Sequence, residues 1–224
     1  MRTLETTLRR VLFLRDATGE TLTAFLRAGR VRQLGADTVL FAEGDAAPPL
    51  FVVVSGAVKL LKWDTRGREL NLGIARVGEV VGAPATFDGG NCSYHAVTVG
   101  EGAAVFVVAR ETFAVLLAAH PEIAGGVIRL LAVQNRRLTE MLKAQALHSV
   151  RARFAAYLLA AAGSGDTFTL PETNAGIAAH LGTVREVVSR TLHGFADAGA
   201  IAVRGRTVTL LDRAALTIDA TPTL

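Results

Sequence analysis

The stretch that decides the fold reads Thr173-Asn-Ala-Gly-Ile-Ala-Ala-His-Leu-Gly182-Thr-Val-Arg185-Glu186-Val-Val-Ser189-Arg190-Thr-Leu192-His-Gly-Phe195. Thr173 is a residue type that caps a helix by accepting backbone N–H groups. Behind it, Ile177, Ala178 and Leu181 recur at helical spacing and face inward. Gly182 then permits a sharp turn into a second helix. At about 100° per residue, Val184, Val188, Leu192 and Phe195 gather on one face of that helix and pack inward. Arg185, Glu186, Ser189 and Arg190 gather on the opposite front.

An Arg-Glu pair on a helix is ordinarily a solvated face with modest support across one turn. Here the pair opens a helix that follows a glycine turn, and this placement suits entry into the major groove of duplex DNA. Arginine can grip the O6/N7 edge of guanine with two hydrogen bonds, glutamate can accept from cytosine N4, and a serine is short enough for phosphate or base. Downstream, Ile201–Val203 and Thr207–Leu211 read as strands joined by Arg204-Gly205-Arg206. Such a wing, with arginines at its tip, suits neighbouring phosphates. The candidate DNA-contacting residues are therefore Thr173, Thr183, Arg185, Glu186, Ser189, Arg190, Arg204 and Arg206.

Working outward, another helix is expected from Val150 to about Ala162, ending at Gly163-Ser164-Gly165. Before it, a long helix from about Glu122 to Gln145 carries Val127, Leu130, Leu131, Leu138, Met141 and Leu142 on an approximate heptad seam, with Gln134 inside it. That seam needs a cover, either the chain's own upstream domain or a parallel partner helix, and a reader of duplex DNA favours the partner. From Arg30 to Ala109, short apolar runs (Val39–Phe41, Leu50–Val54, Val58–Leu61, Leu70–Ile74, Ala96–Val99, Ala104–Val108) alternate with glycine turns. This pattern predicts a compact antiparallel roll or barrel. Short helices precede it between Thr6 and Ala28, and the last ten residues read as a frayed tail.

The 224 residues suit two domains, and half of them are apolar. The net charge of +4 tolerates a polyanionic partner without establishing one. Before the Met141/Leu142 peptide there are 16 basic and 14 acidic residues, and after it 8 and 6, so the DNA argument rests on particular arginines. The single cysteine, Cys92, excludes an intramolecular disulfide. No apolar run approaches the length of a membrane span and the first residues lack a secretory pattern, so a cytoplasmic chain with no membrane partner is expected.

The string Ile177-Ala178-x-x-Leu181-Gly182-x-x-Arg185-Glu186-x-Val188-Ser189-Arg190-x-Leu192 resembles the recognition motif of the Crp/Fnr family of bacterial transcription regulators. Gly44-Asp45, Ser55-Gly56-x-Val58, Gly67-Arg68-Glu69, Gly78-Glu79-x-x-Gly82 and Phe87-Asp88-Gly89-Gly90 are similar to that family's cyclic-nucleotide-type roll. Val150-Arg151-x-Arg153-Phe154-Ala155-x-x-Leu158-Leu159 is similar to the helix that opens its DNA-binding domain. The resemblance implies an α+β chain with three parts. They are an N-terminal double-stranded β-helix (jelly-roll) sensor domain over 1–120, a dimerisation helix over 121–147, and a winged helix-turn-helix over 148–224. It further implies a homodimer reading a palindrome of TGTGA-like half-sites, with RNA polymerase as a partner if the bound protein activates. Val184 departs from the family's small polar residue, and Gly176 from its usual acid.

The candidate effector pocket comprises Gly82, Ala83, Cys92 and Ser93. In nucleotide-binding relatives, the positions of Ala83 and Cys92 hold a glutamate for the ribose and an arginine for the phosphate. Pro84 also removes an amide donor. A buried phosphate without a cation is heavily penalised, so cyclic AMP is not expected to bind in the usual way. No cofactor is expected, and the sequence leaves an unidentified small-molecule effector open. Cys92 with His95 raises a heme- or redox-dependent alternative, although a lone cysteine in an apolar roll is more often small filler. Similar rolls also host metal-dependent enzymes, but His95 is the one histidine of this roll and has no ligand-spaced companions. An enzyme is not expected.

Overall fold

A computed structural model of the protein describes residues 2–221. The elements in chain order are α1 (Arg2–Leu8), a 3-10 turn (Leu12–Leu14), α2 (Gly19–Ala28), β1 (Gly29–Leu34), β2 (Val39–Phe41), β3 (Leu50–Trp63), β4 (Glu69–Ala75), β5 (Val80–Val81), α3 (Ala83–Asp88), β6 (His95–Val108), α4 (Arg110–Ala119), α5 (Pro121–Leu147), α6 (Val150–Ala162), β7 (Thr167–Thr169), α7 (Asn174–Leu181), α8 (Arg185–Asp197), β8 (Ile201–Arg204), β9 (Thr207–Leu210) and α9 (Arg213–Ala220). The chain divides into two compact units. One runs up to Lys62 and resumes over Leu72–Arg137; the other holds Trp63–Asn71 and the chain from Leu138 onward.

The first unit is built on a sheet of order β1-β6-β3-β4, with β2 also on β6 and β5 on β3. Strand alternation feeds two cores. From β3, Leu50 and Val52 enter a core shared with the helices, while Phe51 and Val53 line the interior of the roll. On β6, Phe106 and Val108 go with the helices, and Ala103 and Val105 with the interior.

The sequence reading places a turn at Gly56, splitting β3 into two strands. Instead β3 is one strand of 14 residues, with register shifts around Gly56. Gly56 has φ 71°, and a Cβ there would lie 2.1 Å from the carbonyl oxygen of Gly102 on β6. The glycine is therefore a bulge that lets two long strands bend while still paired.

Helix α5 meets α4 at 116°, at His120-Pro121. Its Ile123, Val127 and Leu130 are buried in the core they share with α2, α4 and the sheet. Gly126 lies so close to Phe13 that a Cβ would stand 2.3 Å from its carbonyl oxygen. Part of the expected seam is thus covered by the chain's own unit, and Val127, 8% exposed, is unavailable to a partner. Ile128, Leu131, Leu138 and Leu142 remain exposed, while Gln134 and Met141 are half-buried. The exposed register therefore passes through Ile128, Leu131, Asn135, Leu138 and Leu142, apolar but for the asparagine.

The second unit packs α6, α7, α8 and α9 against the sheet β7-β9-β8. Its core holds Phe154, Leu158, Ile177, Val188, Phe195 and Leu216 among others. Ser149 caps α6 by accepting from the amide of Ala152 at 3.1 Å, and Asp212 caps α9 by accepting from that of Ala215 at 2.8 Å. The C-terminal stretch expected to fray instead forms α9 as far as Ala220, anchored by the fully buried Leu216; residues 222–224 lie outside the described residues. Among the described residues, no single helix is long and apolar enough to cross a membrane.

Candidate DNA-binding surface and effector pocket

Thr173 begins the site at the N-cap of α7, its hydroxyl accepting from the amide of Gly176 at 3.2 Å. Helix α7 ends at Gly182 in the left-handed region (φ 63°, ψ 45°), which glycine adopts without the Cβ penalty. The amide of Thr183 closes the turn on the carbonyl of Ala178 at 2.9 Å. Val188, Leu192 and Phe195 of α8 are buried. Val184 is not on that face. It is the N-cap residue, extended (φ −113°, ψ 153°) and 36% exposed, and its side chain caps nothing.

Arg185, Glu186, Ser189 and Arg190 line one open groove along α8, joined there by His193 and Asp197. Those last two lie a turn or two further along the same front, and the same helical count that found the first four extends to them. The His193 Nδ1 lies 2.7 Å from the carbonyl oxygen of Ser189. Arg185 also borders a second groove with Thr173, Asn174, Gly205 and Arg206.

The wing arginines differ. Arg204 is exposed at the end of β8. Arg206 is committed within the unit, donating from Nη2 to the carbonyl of Leu170 at 2.7 Å, while its own carbonyl accepts from the amide of Leu170 at 2.8 Å. It ties the segment before α7 to the wing, so at least part of its guanidinium is not free for phosphate.

Two arginines of α6 missed in the sequence brace the helix-turn-helix from behind. Arg151 stacks over the Phe195 ring at 4.3 Å and donates from Nε and Nη2 to the two carboxylate oxygens of Asp219 at 3.1 and 2.7 Å, a pairing that raises its pKa. Arg153 donates to the carbonyl of Leu181 at 3.1 Å and to that of His148 at 2.6 Å. Burial lowers its pKa. It thereby ties the last carbonyl of α7 to the residue that follows α5. Both appear in the sequence only as members of the α6 motif, because their partners lie many residues away.

In the roll, Gly82 is left-handed (φ 86°) and its amide donates to the Tyr94 hydroxyl at 3.1 Å. Ala83 and Cys92 are buried and Ser93 is exposed. The Cys92 thiol contacts the carbonyl of Ala46 at 4.0 Å, and burial, with the nearby Asp45 charge, pushes its pKa up. That is the environment of an inert structural thiol. His95 Nδ1 accepts from the Glu43 amide at 3.2 Å, so the ring is held by the loop before β3. Among the described residues, no group of three His, Cys, Asp or Glu side chains is arranged to hold a metal ion.

Residues 31–120 match the cyclic nucleotide-binding domain, and residues 152–217 match the Crp-like helix-turn-helix domain. The cyclic AMP receptor protein of Thermus thermophilus is 32% identical over 179 residues, 79% of this chain and 82% of that protein. The chain belongs to the Crp/Fnr family of transcription regulators. The CRP-like cAMP-activated global transcriptional regulator of Mycobacterium tuberculosis is also 32% identical, over 77% of this chain and 80% of that protein. The solved catabolite activator protein of Thermus thermophilus superposes with a TM-score of 0.55 at 29% identity, covering 93% of this chain and 97% of that one. The c-di-GMP-responsive regulator CLP of Xanthomonas campestris shares the fold, with a TM-score of 0.76 at 23% identity over 86% of this chain and 99% of that one. The α+β architecture expected from the sequence is therefore that of Crp/Fnr structures, and this member is a DNA-binding transcription regulator, not an enzyme.

Proposed function

We propose that this Crp/Fnr regulator acts as a homodimer on a palindrome of TGTGA-like half-sites, and that cyclic AMP does not switch it in the usual way. The observation that carries the first part is the row Arg185, Glu186, Ser189 and Arg190 along one open groove, set opposite the buried Val188 and Phe195. The exposed register on α5 supports the dimer, which would set the two reading helices about one helical turn of DNA apart. Each good bidentate base contact discriminates by about 1–3 kcal/mol. Arg185→Ala is therefore expected to lose preference for the palindrome over random duplex while keeping salt-dependent background binding. Electrophoretic competition reads both, and an Arg185→Ala variant with undiminished preference would disprove the assignment.

On the effector side, the Gly82 amide is already engaged by Tyr94, and Ala83 and Cys92 supply neither a carboxylate for a ribose nor a cation for a phosphate. The cited relatives are described by their names as cyclic AMP-responsive; at the positions where the family resemblance implies the ribose and phosphate contacts, this chain has Ala83 and Cys92. Calorimetry of the full chain is expected to detect no micromolar binding of cyclic AMP. A micromolar isotherm would overturn this reading.

A further inference from the structure

The geometry points to His193 as a phosphate contact whose grip on DNA is set by pH; this deepens the DNA-binding reading above and rests on it. His193 is exposed on the same open groove as Glu186, Ser189 and Arg190. It stands eight residues beyond Arg185, about 12 Å along the helix axis. In a helix-turn-helix the second helix lies in the major groove and its N-terminal residues meet the bases. Two turns beyond those base-reading residues, and on the same front, His193 is set toward the phosphates that flank the groove.

The ring is already oriented. A carbonyl can only accept, so at 2.7 Å from the Ser189 carbonyl the Nδ1 must carry the proton. This leaves Nε2 to face outward. In the neutral ring Nε2 is a lone pair and cannot donate to a phosphate oxygen. In the imidazolium it is a charged N–H that can. Imidazoles change charge between pH 5 and 8.

The charged groups around it are few. On α8 they are Arg185, Glu186, Arg190 and Asp197. From α6, Arg151 comes within 3.7 Å of where a Cβ on Gly194 would sit, and it is held by Asp219 of α9. The ionisable group of α7 is His180, whose ring packs on Tyr157 at 5.2 Å, and that of β8 is Arg204. Binding DNA adds phosphates to this set and so favours the imidazolium, which makes association take up a proton. Affinity therefore rises as pH falls.

The test is fluorescence anisotropy of the full chain at constant ionic strength, between pH 8 and 6. It uses a duplex carrying two TGTGA half-sites and a random duplex of equal length. Wild type is expected to gain roughly three- to tenfold in affinity per protomer more than His193→Gln over this range. His193→Lys should bind at pH 8 about as tightly as wild type at pH 6, without the histidine-dependent gain. The slope of log K against log salt for wild type should steepen by about 0.9 per protomer on acidification. Matching pH profiles for wild type and His193→Gln would overturn the proposal, as would an unchanged affinity in His193→Lys. A phosphate contact does not depend on sequence, so the random duplex still tests it if preference for the palindrome fails.

Discussion

At the N-cap of α8 the backbone is extended and the first amides of the helix need acceptors, yet the residue there is Val184, whose carbonyl accepts from the amides of Val187 and Val188 but whose side chain has no acceptor to offer. Ser, Thr, Asp or Asn at such a position stabilises a helix by about 0.5–2 kcal/mol relative to a residue that cannot cap. Val184 is exposed, so replacing it removes little packing. Val184→Ser is therefore expected to raise the urea midpoint of the full chain, and Thr173→Ala, which deletes a cap that is made, to lower it by a comparable amount. A Val184→Ser variant less stable than wild type would show that the valine makes a packing contact worth more than the cap. The same residue marks the limit of periodicity. Counting at 100° per residue sorts Val188, Leu192 and Phe195 correctly, but it assumes that the helix has already begun at Val184. Extended cap geometry turns that side chain off the buried face. Arg206 is a similar case, since its partner carbonyl on Leu170 lies 36 residues away and no local pattern announces it.

Between elements, the elbow of α4 and α5 depends on one hydroxyl. The fully buried Thr21 of α2 donates to the Glu122 carboxylate, and its Oγ1 lies 3.0 Å from both Thr18 Oγ1 and His120 Nδ1. With its one proton given to Glu122, the oxygen accepts from the other two, and the hydroxyl is fully used. The Thr21 bond, with support from the Glu122 backbone amide and the His120 charge, holds the Glu122 carboxyl below its usual pKa. A depressed carboxylate pKa contributes stability that is present above the unfolded value, near 4.3, and is lost as pH falls through the folded value. Thr21→Val should thus be less stable than wild type at pH 6, and the gap should narrow below about pH 4.5. Urea unfolding at a series of pH values checks this, and a gap independent of pH would remove Glu122 from the account. This contact spans 101 residues, and sequence patterning does not reach it. The strands were more legible, because alternation is local. Gly56 and Gly102 were not, since a glycine that ends a strand and one that bends it leave the same mark in the sequence. Only the facing strand distinguishes them.

For the whole molecule, α5 joins two chemistries on one rod. Its first half turns Ile123, Val127 and Leu130 into the chain's own core, so a seam drawn through Val127 cannot continue to a partner. The exposed positions Ile128, Leu131, Asn135, Leu138 and Leu142 alternate by three and four residues, the spacing of a coiled-coil seam. An asparagine within such a seam costs stability and fixes the register of the two strands. Leu138 and Leu142 are 56% and 69% exposed, so changing them leaves the chain's own cores intact. The pair Leu138→Asp and Leu142→Asp would set like charges against each other across a two-fold interface. Sedimentation of this double variant is expected to give a monomer at concentrations where wild type is a dimer. The monomer's individual reading helix would be unchanged, so its contacts to one half-site persist. The second half-site would no longer be held at a high effective concentration, and affinity for the full palindrome should fall by about 10²–10⁴-fold. Affinity for a single half-site should remain near that of wild type. A double variant that still sediments as a dimer would place the interface on another surface of the chain. A monomer that kept full affinity for the palindrome would separate DNA reading from pairing altogether.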